Sequence, residues 1–422
     1  MLLEPARFHR PPDREPIELI AEAWGATRTW ALPQRRQADV AACLALHAAR
    51  GRQVVVQRDV DAATVAGLVV AGVEPHWLRP EIDPVAGVAH GVTPESLDAA
   101  LTAAPGARAA IVVAPTFHGA VPDIALLAAV AHGHGAALVV DEAWGAHLPF
   151  HPDLPVHAIA AGAALVLTRL GTATLLHQGR HAERWLPAAT IDRAVRLCGP
   201  GEVAASALPA TPALASTLRA VAAARAQLTG LPGVRVLGPE LAGEPGAAGF
   251  DPLRLTVDLL ETGRDARAVA EALRERAAIE PALATARHLV LALDHDDGEL
   301  GRAERFAAAL LASLWTVPPA DGGGGSLPSA PHGPALCTPR AAWLGPQERV
   351  APEAAVGRIA TETLTPYPPG VPAVLPGDCL VPDVVATLRA LVAAGGVVEG
   401  TPDGLETFGV IAGSPARGRW AG

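Results

Sequence analysis

Five short, almost continuously apolar runs, alternating with stretches of helical spacing, constrain the fold of this chain more than any other feature. They are Arg52–Val56, Val73–Trp77, Ala109–Val113, Ala137–Val140 and Ala164–Leu167. Runs without polar alternation belong to strands covered on both faces, so from about residue 14 to 180 the pattern predicts βα units feeding a mostly parallel sheet. Between them, Asp39–Ala49, Ala62–Ala71, Pro94–Ala103 and Ile124–His132 carry apolar positions at three- and four-residue spacing and are predicted helices. Thr93 before Pro94 reads as an N-cap followed by a proline at the first helical position. A second α/β segment follows, with a helix over Pro212–Leu228, strands at Val234–Leu237, Arg254–Asp258 and Leu289–Leu293, and a helix around Ala266–Ala277. The expected units are a large domain over 1–205, a small α/β domain over 206–317, a low-complexity flexible connector over 318–334, and a compact C-terminal unit over 335–422. No repeat of solenoid period is present.

Composition narrows the function. Asp and Glu number 43 against 33 basic residues in 422, with no basic tract, so no nucleic acid is expected as a partner and the ligand should be small. All 33 basic residues are arginine; the chain contains no lysine, and with it goes any chemistry that needs a lysine amine. Cys43, Cys198, Cys337 and Cys379 are far apart and lack CxxC spacing, which fits a reducing cytoplasm. No leader pattern and no long apolar stretch occurs, so a cytoplasmic protein without membrane contact is expected.

The segment LVVDEAWGAHLPFHPDLP, Leu138–Pro155, delivers the carboxylates Asp141 and Glu142 at the end of a buried strand, where ligands of open α/β sheets bind. Read alone, Asp141 either serves such a site or caps a turn. Taken with AEAWGATRTW, VAPTFHG, RLTVDLL, CTPRAAW and, above all, TPYPPGVP at 365–372, the segment resembles the Orn/Lys/Arg decarboxylases. The resemblance implies an α/β, aminotransferase-like (fold type I) large domain with a mostly parallel seven-stranded sheet, a small α/β domain and a C-terminal α+β decarboxylase domain. It also implies pyridoxal phosphate (PLP) as cofactor and a dimer in which both subunits border each site.

Residue by residue, the cofactor apparatus carries over poorly. The family's S-x-H-K segment corresponds to LTRLGTATLLH, with Gly171 and Thr172 near the lost lysine, so the Schiff base that PLP chemistry requires has no anchor. Arg35 and Arg36 stand where the family has a small, polar phosphate cradle; they read either as a site for a different small anion or as solvated or ion-paired residues. Asp61 replaces the ring-stacking histidine, and an aspartate cannot stack on a pyridine. The family's VPGHKG-like lead segment is also missing. Asp141, the family's partner for the pyridine nitrogen, remains, with Ala143 and Trp144 beside it and Thr116 in APTFHG, as vestigial cofactor contacts. The expectation is a pseudoenzyme that does not hold PLP covalently and acts by binding a small ligand or a partner, as a homodimer or as a heteromer with an active paralogue.

An enzymatic alternative is lysine-independent PLP chemistry with His177 as base. Other constellations read more simply. His132 and His134 suit a helix C-terminus better than a metal pair, and no metal site is expected from His147 and His151 with Asp141 or Glu142. His295, Asp296 and Asp297 read as a solvated turn, and Tyr367 as a residue of the old substrate channel or of a domain interface.

Overall fold

The computed structural model describes residues 15–295, 297–298, 301–319, 332–367, 371–393 and 396–413; residues 320–331 of the expected connector and Asp296 lie outside the described residues. Seven strands form one sheet: β1 (Arg28–Leu32), β2 (Gln53–Gln57), β3 (Glu74–Leu78), β4 (Ala109–Val113), β5 (Ala137–Asp141), β6 (Leu165–Leu170) and β7 (Ala173–Gln178). Their order is β1-β7-β6-β5-β4-β2-β3, with β7 antiparallel to both neighbours and the run from β3 to β6 parallel.

The period-2 geometry of strands sorts the apolar runs into two cores. Val54, Val56, Ile111, Val139, Leu167 and Leu176 face helices α2 (Arg35–Arg50), α3 (Ala62–Ala71) and α6 (Ala188–Cys198). Val55, Val112, Leu138, Val140 and Val166 face α4 (Pro94–Ala103) and α5 (Ile124–Gly133). Helix α1 (Pro16–Ala23) covers the β7 end, where Ile20 and Trp24 pack on Leu175. Thr93 and Ser96 form a reciprocal capping box at the start of α4.

Helices α2 and α3 approach closely at Gly67, where an added Cβ would stand 2.8 Å from the Asp39 carbonyl oxygen and 3.0 Å from Cys43 Sγ. Because a backbone atom cannot yield as a side chain can, Gly67→Ala is expected to cost about 1–3 kcal/mol in a denaturant titration. This contact fixes Asp39, which matters below.

Residues 211–316 build a second core. An antiparallel sheet of β8 (Arg235–Leu237), β9 (Arg254–Asp258), β10 (Leu283–Ala284) and β11 (His288–Ala292), ordered β10-β11-β9-β8, packs against α7 (Thr211–Thr229), α8 (Ala266–Ala277) and α9 (Arg302–Thr316). The C-terminal residues form two short antiparallel pairs, Gln347–Val350 with Phe408–Ile411 and Thr365–Tyr367 with Val397–Glu399, around the helix Pro382–Ala393. A buried ion pair, Arg58 to Asp378 at 2.8 Å, joins this unit to the large sheet. The Tyr367 backbone pairs with Val397, while its side chain lies outside the described residues. Among the described residues, no helix is long and apolar enough to cross a membrane.

Candidate functional site

Parallel strands direct their carboxyl ends to one edge of the sheet, and β5 brings Asp141 there, 7% exposed. Alternation sets its direction. Asp141 pairs with Leu167 and Leu167 with Leu176, all on the face covered by α2 and α3.

On that face Asp141 meets Arg35, the first residue of α2. Arg35 Nη2 donates to Asp141 Oδ2, and its Nε donates to Asp39 Oδ2 one helical turn on, at 3.1 Å. The remaining carboxylate oxygens also have donors: Ala143 N–H to Asp141 Oδ1 at 3.1 Å and Thr64 Oγ1 to Asp39 Oδ1 at 2.7 Å. Burial alone would lower the Arg35 pKa, yet Asp141, Asp39 and Asp61 outweigh it and the guanidinium is held above the ordinary arginine range. Burial pushes the Asp39 carboxyl upward, and that of Asp59 up to about 6.

Of its two sequence readings, the ion-paired one describes the arrangement Arg35 has here: its charge is met by two carboxylates. Arg36, the next residue, is exposed. Gly171 and Thr172 are the two turn residues of the β6–β7 hairpin and both are exposed, Gly171 with φ +58°, as a tight turn demands of its first central residue. Leu170 pairs with Ala173, so Gly171 and Thr172 are the whole connection between the strands.

The other expected positions have structural duties. Asp61 caps α3, its Oδ1 accepting from Ala63 N–H at 2.7 Å. Thr116 is 3% exposed and closes a turn, its Oγ1 accepting from Ala120 N–H at 3.1 Å. Ala143 is buried, and half-buried Trp144 lies under the Arg254 guanidinium at 4.8 Å with Phe117 edge-on at 5.2 Å.

His177 sits on the opposite face of the sheet from Asp141, because it follows Leu176 in the strand. It is fully buried, bonded through Nδ1 to Thr29 Oγ1 and through Nε2 to Thr168 Oγ1, both at 2.9 Å, and stacked on Trp24. Burial pulls its pKa down to about 3. This corrects the reading of His177 as a base: the sheet stands between it and Asp141.

Of the remaining candidates, His147 Nε2 pairs with the fully buried Asp251 at 2.9 Å, a contact between the two large cores. Burial would raise Asp251, but His147 and Arg254 prevail and its carboxyl stays below the usual range. His151 Nδ1 accepts from Asp153 N–H at 3.2 Å. His132, in the last turn of α5, stacks on Trp185, and the following His134 pairs with Asp98 at 2.7 Å. His295 bonds Asp294, and Asp297 pairs with Arg302 at 3.2 Å.

Glu142 turns away from Arg35. Its Oε1 accepts from Ala158 N–H at 2.8 Å while Oε2 has no partner among the described residues, and burial pushes the carboxyl up to about 8. A carboxyl raised this far favours the fold while protonated and loses that contribution as pH rises through 8. Glu142→Gln is expected to match the parent below about pH 4 and to melt progressively higher than it as pH rises from there to 8, in thermal scans across pH.

Sequence reasoning missed Asp39, Thr64, Asp251 and Arg254. The Arg35/Asp39 spacing of four was an available signal; the others meet the site only through tertiary packing.

The sequence model described as "Orn/Lys/Arg decarboxylase, major domain" matches residues 6–179, and that of the "C-terminal domain" matches residues 337–404. The chain belongs to the Orn/Lys/Arg decarboxylase family. The arginine decarboxylase of Halalkalibacterium halodurans is 28% identical to it over 414 residues, 94% of this chain and 84% of that protein. That of Bacillus subtilis is 28% identical over 406 residues, 92% of this chain and 82% of that protein. Among solved structures, Francisella novicida lysine decarboxylase superposes with a TM-score of 0.73 at 15% identity, covering 94% of this chain and 71% of that one. Alanine–glyoxylate aminotransferase from Nostoc sp. superposes with a TM-score of 0.52 at 15% identity, covering 71% of this chain and 85% of that one. The fold is therefore that of the fold-type-I PLP enzymes, as the motifs imply.

The family is PLP-dependent, but the residues of this family member do not fit that group. Both oxygens of Asp141 already have donors, Asp61 caps a helix, the hairpin at Gly171 offers no anchor, and the chain contains no lysine.

Proposed function

We propose that this family member is a pseudoenzyme: a cytoplasmic decarboxylase-fold protein that forms no Schiff base with PLP and acts by binding, through a small ligand or a partner subunit that is a second copy or an active paralogue. The observation that carries this is the two-residue turn joining β6 to β7 in a chain without lysine. Covalent PLP catalysis needs an amine at that edge, and general acid–base groups do not replace it: His177 faces the other side of the sheet. Carboxyl-labelled L-arginine, L-lysine and L-ornithine, each incubated with the protein and PLP, should release labelled carbon dioxide only at the rate of a protein-free blank. Turnover of any of the three would overturn the proposal. For the partner, sedimentation of the protein alone and co-expressed with a catalytically intact family decarboxylase should show a dimer or a mixed species; a monomer in both would leave only ligand binding.

A further inference from the structure

The carboxylates of Asp39 and Asp141 converge on a single planar cation. Each presents one oxygen to it, while its other oxygen is fixed from behind by Thr64 or by Ala143 N–H. The two residues are 5% and 7% exposed, and the side chain between them, that of Arg35, is 18% exposed. Two carboxylates face one guanidinium, and Asp61 nearby also favours its charge. A fork of N–H donors spread over a plane satisfies two separately placed carboxylates at once; a compact ammonium does not.

From this geometry we infer that the position occupied by the cofactor ring in the family has become a guanidinium-binding site, and that its resident ligand is the chain's own Arg35. The site selects planar, delocalised N–H cations. Filled from within, it is closed to a pyridine ring, whether or not an amine is available nearby. Emptied by Arg35→Ala, it should take up free guanidinium from solution. This inference concerns occupancy at Asp141 and stands apart from the proposed lack of catalysis.

The test is chemical rescue. Purified Arg35→Ala is melted in millimolar guanidinium chloride, and in methylammonium chloride and sodium chloride at the same ionic strength. Guanidinium should raise its Tm by roughly 2–4 °C over the other two salts, and should leave the parent protein unchanged. In Arg35→Ala/Asp141→Asn the difference between salts should vanish. If Arg35→Ala does not fold unaided, refolding yield replaces Tm as the readout, with guanidinium alone raising it. Equal behaviour in all three salts, by Tm or by yield, overturns the inference. A PLP adduct on the parent protein would instead contradict the proposed function without deciding this rescue.

Discussion

Arg58→Ala should lose about 3–5 kcal/mol of folding stability, the cost of leaving one partner of a buried ion pair without the other. Arg58 and Asp378 have side chains 5% and 4% exposed, and Arg58 also donates to the carbonyl oxygens of Pro372 and Ala373, within and beside the TPYPPGVP motif. Asp378 in turn accepts from Leu375 N–H at 3.0 Å. Burial dominates both groups, lowering the Arg58 pKa and raising that of Asp378, so solvation lost on folding outweighs the attraction between them. The pair is thus costly to break and of modest net value when intact. Replacing both members with apolar side chains of similar size, Arg58→Met/Asp378→Leu, should therefore cost much less than Arg58→Ala. Equilibrium denaturation of the three proteins decides this. Equal losses in the single and double variants would mean that Arg58 acts through its carbonyl contacts rather than through Asp378.

The second large effect is set by pH. His177 titrates near 6.5 in an unfolded chain but only at about 3 when buried between Thr29 and Thr168. With its folded value depressed, its contribution is fully present above 6.5 and is lost as pH falls through the acid range. Between pH 7 and 4.5 this single residue should remove about 2–3 kcal/mol. Burial also lowers His157 and His332, each to about 4, and these act in the same direction. Glu142, raised to about 8, acts oppositely, favouring the fold as pH falls. The quantity to compare is therefore the difference in unfolding free energy between parent and His177→Gln, followed across pH. That difference should shrink on acidification by the stated amount. A constant difference would show that His177 is not held neutral.

The core of the large sheet was legible because its strands are apolar on both faces: Val54–Val56, Ala109–Val112 and Leu138–Val140 sort into two layers by alternation alone. The Thr93 cap was legible because its signal is local. Strand β7 carries the buried polar residues Thr174, His177 and Gln178, the last two bonded to Thr29, Thr168, Glu183 and the Leu186 carbonyl, so hydrophobicity underreports it. Helix α6 buries only Ile191, Ala194 and Val195 among charged neighbours, and the periodicity did not single it out.

At the candidate site the same division holds. The loss of lysine and the presence of Asp141 are facts of residue identity. That Arg35 reaches Asp141, 106 positions away, is a fact of packing: α2 must lie across the edge of the sheet, held there by the close approach at Gly67, before the two side chains can meet. The sequence left Arg35 between an anion site and an ion pair. In the structure Asp39, buried on the apolar face of α2 among Ala38, Ala41, Ala42 and Ala45, pairs with Arg35.

The central claim is that this decarboxylase fold does not hold PLP covalently. The most direct measurement is the absorbance spectrum of the purified protein with added PLP, followed by borohydride reduction and intact-mass determination. No protein-bound aldimine band and no mass gain are expected. A band that reduction converts into a stoichiometric, cofactor-sized mass gain would show that an amine of this chain captures PLP, and would contradict the account.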